Sequence, residues 1–159
     1  MPVIEFSTDI QAPIERVFDL SRSVDLHMDS TVHTRERAVG GVTSGLITLG
    51  QEVTWRARHF GNWQHLTTRI TAFERPLYFR DSQVRGIFRR LDHDHFFTPR
   101  GDITLMRDVF DFQSPLGILG RIADRLFLIR YMTQLLAIRN TLIKTTAETD
   151  HWRRYIRQA

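Results

Sequence analysis

Residues 114–150 have the sequence SPLGILGRIADRLFLIRYMTQLLAIRNTLIKTTAETD, in which apolar side chains return every three or four positions. That spacing puts them on one face of an α-helix, and Ser114 and Pro115 suit its N-cap and its first helical position. The stretch predicts one C-terminal helix of roughly thirty residues. Its apolar face is predicted to consist of Leu119, Ile122, Ala123, Leu126, Phe127, Ile129, Met132, Leu135, Leu136, Ile143 and Ala147.

The chain before this helix contains seven segments that alternate apolar and polar side chains, the pattern of half-buried β-strands. The segments are residues 3–11, 33–39, 51–60, 65–73, 78–85, 89–98 and 103–113. Two short helices are predicted after the first segment, one beginning at Pro13 and one at residues 24–30. The fold class is therefore α+β: a seven-stranded curved antiparallel sheet around a long C-terminal helix, with two short helices after strand 1. Such a sheet leaves a space beside the helix, which predicts a small-molecule pocket.

Length and composition limit the class of protein. The 159 residues predict a single domain, assigned to residues 1–150, followed by a basic C-terminal tail at 151–159. The tail is either a solvated helix end or a contact for an acidic partner. The sequence has no cysteine, which excludes disulfides and thiolate chemistry.

Several partners are not expected from the sequence. No apolar run reaches the roughly 20 residues of a membrane span, and no signal peptide is recognised, which predicts a cytoplasmic protein without stable membrane insertion. The net charge is +4, but no motif for binding nucleic acid or nucleotide accompanies it, so neither is expected as a partner or cofactor. A homodimer is left open.

The predicted turns allow a first estimate of strand register. Centring each turn predicts one row of neighbouring side chains across the sheet: Trp55, Ile70, Asp81, His93 and Asp108. The next rows place Gln83 beside Leu91, and Phe79 beside His95 and Met106. The face that carries Trp55 should be the concave one, because the opposite face carries arginines. The row predicts a polar patch in an otherwise apolar pocket.

His93 is the centre of that patch, between the carboxyl groups of Asp81 and Asp108. We expect the two carboxylates to favour the imidazolium form of His93 over the opposing effect of burial. The three side chains form either a satisfied internal network or a group that orients a ligand or moves a proton. His93 and His95 also share one face of a strand, as metal ligands often do. Beyond Asp81 or Asp108 no third ligand is clear, so no metal is expected.

Several strings of the sequence resemble the SRPBCC superfamily of START-like and polyketide-cyclase-like helix-grip domains. Residues 10–18 (IQAPIERVF) are similar to the strand-to-helix entry of that superfamily. A bacterial subgroup of unassigned function is similar at residues 52–61 (EVTWRARHFG), 81–86 (DSQVRG), 93–95 (HDH) and 114–117 (SPLG). The chain departs from the subgroup at Ile87, where proline is expected, and at residues 102–103, where a Gly-Thr type of turn is expected.

The resemblance implies a binding protein for a small, mostly apolar molecule of lipid, polyketide or aromatic type. The alternative is a cyclase, dehydratase or hydrolase that uses His93 with Asp81 or Asp108 as acid and base, without metal or nucleotide cofactor. A third possibility is a structural or stress-response protein with a closed core. Catalytic residues differ between branches of the superfamily, so none is transferred to this chain. The predicted ligand-binding residues are Trp55, Phe79, Asp81, Gln83, His93, His95, Met106, Asp108, Phe110 and Met132.

Overall fold

The computed structural model describes residues 3–115 and 127–156. The strands are Val3–Ile10 (β1), Arg37–Gly41 (β2), Glu52–His59 (β3), Asn62–Glu74 (β4), Tyr78–Arg85 (β5), Arg90–Arg100 (β6) and Ile103–Gln113 (β7). The α-helices are Ile14–Ser21 (α1), Val24–Ser30 (α2) and Ile129–Ala147 (α3), and 3-10 helices cover Val32–Thr34 and Asp150–Arg154. Within the described ranges, every helix is too short or too polar to span a bilayer.

The strands form one antiparallel sheet in the order β1-β7-β6-β5-β4-β3-β2, which curves around α3. Helix α3 packs against β1, α1 and α2. Its buried apolar side chains, Leu136, Ile143 and Ala147, recur with the spacing of one helix face. This arrangement confirms the predicted helix-grip fold. Residues 116–126, to which the first part of the long helix was assigned, lie outside the described residues.

The second strand begins later than the sequence predicts. Residues 32–34 form a 3-10 helix, and β2 runs through the two glycines that were expected to end it. The register between β2 and β3 shifts between Ala38 and Gly40, as in a β-bulge. Gly41 has a positive φ of 68°, a conformation that glycine adopts without strain.

We expect Gly41→Ala to lower the free energy of unfolding by about 2 kcal/mol or more, because a β-carbon there would overlap the carbonyl oxygen of Glu52 and the backbone conformation would be strained. Gly40→Ala is the matched control, since its β-carbon would lie 3.4 Å from that of Thr54, an ordinary contact. Urea unfolding of both variants measures the difference. Equal losses in the two variants would show that the strain argument is wrong.

The predicted register is right in the middle of the sheet and shifted on either side. Ile70 pairs with Asp81 and Asp81 with His93, as predicted. His93, however, pairs with Phe110 instead of Asp108, a shift of two positions. Trp55 pairs with Leu66 instead of Ile70, a shift of four. Both shifts are even, so the side chains of this row keep their predicted face.

The shifts arise because the turns are centred elsewhere than predicted: the turn between β3 and β4 lies two residues earlier in the chain, and the turn between β6 and β7 lies one residue later. His59 pairs with Asn62 and Arg100 with Ile103, which leaves two residues in each turn where four were assumed. Phe60 and Gly61 both have positive φ, the conformation of a two-residue turn that matches the twist of the strands.

The C-terminal segment is packed on the domain. Trp152 is buried in the main apolar core, and the guanidinium of Arg16 lies 4.5 Å from the centre of its ring. The hydroxyl of Tyr155 donates a hydrogen bond of 2.6 Å to Asp29. Trp152 therefore anchors residues 150–156 to the domain, while the basic side chains His151, Arg153 and Arg154 are exposed to solvent.

Candidate ligand pocket

A cavity of about 350 Å³ lies between the concave face of the sheet and α3. Its apolar walls include Ile47, Val53, Trp55, Ile70, Phe79 and Leu136. These residues enclose an open space, so the interior is not the closed core of the third possibility raised by the sequence. The volume is within the range of pockets that enclose small organic ligands, about 300 to 1,000 Å³.

Four side chains of three adjacent strands form a polar cluster at the sheet side of the cavity. Nε2 of His93 lies 3.1 Å from Oδ1 of Asp108, and Nε2 of His95 lies 2.9 Å from Oδ2 of Asp81. Nδ1 of His95 is 2.8 Å from the same Asp108 oxygen but is too poorly aligned for a full hydrogen bond. The two imidazole rings are 3.8 Å apart. Asp81, His93 and His95 line the cavity, and Asp108 lies behind them.

Asp108 is fully buried and is held by the long helix. The amide of Asn140 donates a hydrogen bond of 2.6 Å to its Oδ2, and Nη1 of Arg139 lies 3.5 Å from its Oδ1. Arg139 also donates to the backbone carbonyl of Ser21 at 2.8 Å. The network therefore connects β7, α3 and α1, and places an arginine beside the buried carboxylate.

The charges of the cluster follow from burial and from these contacts. Burial alone would raise the pKa of Asp108 and of Asp81, but contacts with both histidines lower the pKa of each carboxyl, and that of Asp108 lies well below its usual value. Burial and the neighbouring His95 lower the pKa of His93. Burial acts in the same direction on His95, but its contacts with Asp108 and Asp81 outweigh burial and raise its pKa. The direction of the pKa shift at His93 is therefore opposite to the expectation: His93 also lies near both carboxylates, but burial and the neighbouring His95 outweigh them.

A second polar cluster lines the same cavity, and the sequence analysis did not identify it. Nε2 of His27 lies 3.2 Å from Glu36, and Nδ1 of His59 lies 2.7 Å from the hydroxyl of Tyr131. The His27 ring also packs against the Trp55 ring at a tilt of 32°, with ring centres 4.2 Å apart. Burial would raise the pKa of Glu36, but the nearby histidines lower it. The cavity therefore has mostly apolar walls, two clusters of hydrogen-bonded polar side chains, and further single polar side chains such as Thr68 and Gln64.

The structure places seven of the ten predicted binding residues on the cavity wall: Trp55, Phe79, Asp81, His93, His95, Phe110 and Met132. The other three lie elsewhere. Met106 is fully buried against Ser21, and Asp108 supports the histidines from behind. Gln83 donates a hydrogen bond of 2.7 Å to the carbonyl of Phe88 and so stabilises the turn after β5. The roles of the seven remain predictions.

Arg139 and Asn140 could have been found from the sequence. They follow Leu136 by three and four positions and precede Ile143 by four and three, so they occupy the buried face of α3. Polar side chains on a buried helix face require partners, and Asp108 is the partner here. His27 and Glu36 lie in short segments whose periodicity carries no such signal.

Solved structures of three proteins show the same fold. The Zhui aromatase/cyclase from Streptomyces sp. R1128 has a TM-score of 0.72 at 16% identity, covering 98% of this chain and 96% of that one. Major latex-like protein 151 from Panax ginseng has a TM-score of 0.68 at 15% identity, covering 93% of this chain and 98% of that one. A START superfamily protein from Mycobacterium smegmatis has a TM-score of 0.67 at 12% identity, covering 92% of this chain and 97% of that one. No family model and no curated protein matches the sequence.

These likenesses, together with the sheet order and the position of α3, establish the helix-grip fold for this chain. At such identities the likeness concerns the fold and not a shared activity. Function has to be argued from the cavity and from the side chains that line it.

Proposed function

We propose that the protein binds a small, mostly apolar molecule of lipid, polyketide or aromatic type in the cavity beside α3. The observation that carries this proposal is a cavity of about 350 Å³ whose walls are mostly apolar and which two clusters of hydrogen-bonded polar side chains line. Burial of apolar ligand surface drives binding in such a pocket, and the few polar groups fix the orientation of the ligand. One solved protein with the same fold is an aromatase/cyclase.

Native mass spectrometry of the purified protein and titration with N-phenyl-1-naphthylamine test the proposal. We expect either a co-purified small molecule or saturable binding of this neutral, fluorescent, apolar probe, with one site per chain. A folded protein that carries no small molecule and does not bind the probe would contradict the proposal.

A second candidate function is acid–base catalysis in the same cavity. Its support is that His93 lines the cavity, has a lowered pKa, and lies in hydrogen-bond contact with Asp108, which holds one ring nitrogen. A neutral imidazole oriented in this way can accept a proton from a bound substrate, as a base of the cyclase, dehydratase or hydrolase type does.

His93→Gln distinguishes the two functions, because glutamine keeps a hydrogen-bond donor and cannot act as a base. For a binding protein we expect probe affinity to change by less than about threefold, since most of the buried area is unchanged. For an enzyme we expect turnover of its substrate to fall by about a hundredfold or more. Probe titration and steady-state assays on a panel of aryl esters and polyketide-like ketones measure the two effects. Unchanged turnover in a folded variant would exclude His93 as the base.

A further inference from the structure

We propose that Asp81, His93 and His95 form a binding site for one divalent first-row transition-metal ion, open toward the cavity. One donor atom from each side chain lies within 4.8 Å of the other two. Oδ2 of Asp81 is 2.9 Å from Nε2 of His95 and 3.8 Å from Nδ1 of His93. An ion about 2.0–2.2 Å from each donor requires separations of about 3 to 4 Å, so only small side-chain movements are needed.

The donor set limits the chemistry of the ion. Two imidazoles and one carboxylate form the set typical of zinc and of iron(II) with open coordination positions. Mg²⁺ and Ca²⁺ prefer oxygen ligands only, so they do not fit this site. The three donors belong to the adjacent strands β5 and β6, whose pairing at Asp81 and His93 fixes their separation.

Asp108 gives these histidines the environment that metal ligands usually have. The ring nitrogens that face away from Asp81, Nε2 of His93 and Nδ1 of His95, lie 3.1 and 2.8 Å from one oxygen of Asp108. A buried carboxylate that accepts from the second nitrogen of a histidine fixes its tautomer and directs the other lone pair to the metal. Asn140 and Arg139 hold that carboxylate from α3.

Without an ion, this geometry leaves ring nitrogens of His93 and His95 without good partners. With Asp108 ionised, Nε2–H of His93 donates to it, and a neutral ring then has a lone pair at Nδ1 directed toward the Asp81 carboxylate. The nearly fully buried Nδ1 of His95 has no well-formed hydrogen bond. The guanidinium of Arg139 lies 3.5 Å from Asp108 and also acts electrostatically on Asp81, so two carboxylates share the charge of this one arginine. A proton shared by His95 and Asp81 neutralises part of the negative charge. A divalent ion would be coordinated by all three side chains.

The test is a titration of the full chain with Co²⁺ and Zn²⁺ after treatment with a chelator, followed by calorimetry and by the visible absorption of bound Co²⁺. We expect one ion per chain and a higher melting temperature with Zn²⁺. Asp81→Asn and His95→Gln should each weaken binding by about tenfold to a hundredfold or more. His33→Gln, at an exposed histidine outside the cavity wall, should leave affinity within about twofold.

Absence of saturable binding to the wild type would overturn the proposal. So would binding that a folded Asp81→Asn variant retains unchanged, or binding that His33→Gln weakens equally. Far-UV circular dichroism establishes the fold of each variant, and the nearly isosteric Asp81→Asn keeps the test valid if His95→Gln unfolds. No organic ligand is present in this titration, so its failure leaves the proposed binding of apolar molecules to be judged by the separate probe experiment.

Discussion

The Ala57→Trp variant is expected to bind N-phenyl-1-naphthylamine at least about a hundredfold more weakly than the wild type. Ala57 is a buried residue of β3 that lines the cavity. An indole at this position would occupy space that the ligand needs, and the cavity of about 350 Å³ has too little volume for both. The loss of affinity corresponds to about 2.7 kcal/mol or more. Fluorescence titration measures it directly.

The matched control is Arg58→Trp, which adds the same side chain at the next position of β3, on the exposed face of the sheet. Its probe affinity should remain within about threefold of the wild type, since no cavity-lining atom changes. Overpacking can cost the Ala57→Trp variant about 1–3 kcal/mol of stability, so its far-UV spectrum and melting curve are recorded first. Wild-type affinity in a folded Ala57→Trp variant would show that the probe binds elsewhere.

The second large effect is expected at Asp108. Asp108→Ala should lower the free energy of unfolding by about 3–5 kcal/mol, because it leaves the buried guanidinium of Arg139 without its carboxylate. It also removes the hydrogen bonds from Asn140 and His93. Asp108 is fully buried and its pKa lies well below the usual value, so the wild-type side chain is ionised at neutral pH. Urea unfolding at pH 7 measures the loss.

Asp111→Ala is the control for that measurement, since Asp111 lies on the same strand and forms a partly exposed ion pair with Arg90. Asp111→Ala should lower the free energy of unfolding by less than about 1 kcal/mol. The double variant Asp108→Leu with Arg139→Met should be more stable than Asp108→Ala, because it removes both buried charges and fills the space. A loss at Asp108 no greater than that at Asp111 would contradict the role assigned to the network.

The alternation of apolar and polar residues predicted the fold because it depends only on which side chains are buried. It also predicted correctly that Asp81, His93 and Asp108 point inward, since errors of two or four residues do not change the face of a strand. The exact neighbours were wrong where the centre of a hairpin turn lies at other residues than assumed. His95, and not His93, therefore became the partner of Asp108 in the ladder.

The cluster around Glu36 could not be predicted in this way. His27 comes from α2, Glu36 from the segment before β2, His59 from the end of β3 and Tyr131 from α3. These side chains come close together only because of how the helices pack on the sheet, and no local sequence pattern predicts that packing. The predicted direction of the pKa shift at His93 was wrong for a related reason. The shift depends on which of two adjacent imidazole rings lies nearer to both carboxylates.

The pairing of β1 with β7 has a consequence for how the molecule forms during synthesis. These strands lie about a hundred residues apart in the sequence, yet they pair along the whole length of β1, from Val3 to Ile10. Lys144 and Glu148 of the last helical turns also hydrogen bond to the backbone near the end of β1. A nascent chain on the ribosome therefore exposes its first strand until β7, about a hundred residues later, has been translated. Contacts of such long sequence separation slow folding, and chaperones have their longest opportunity to bind that strand.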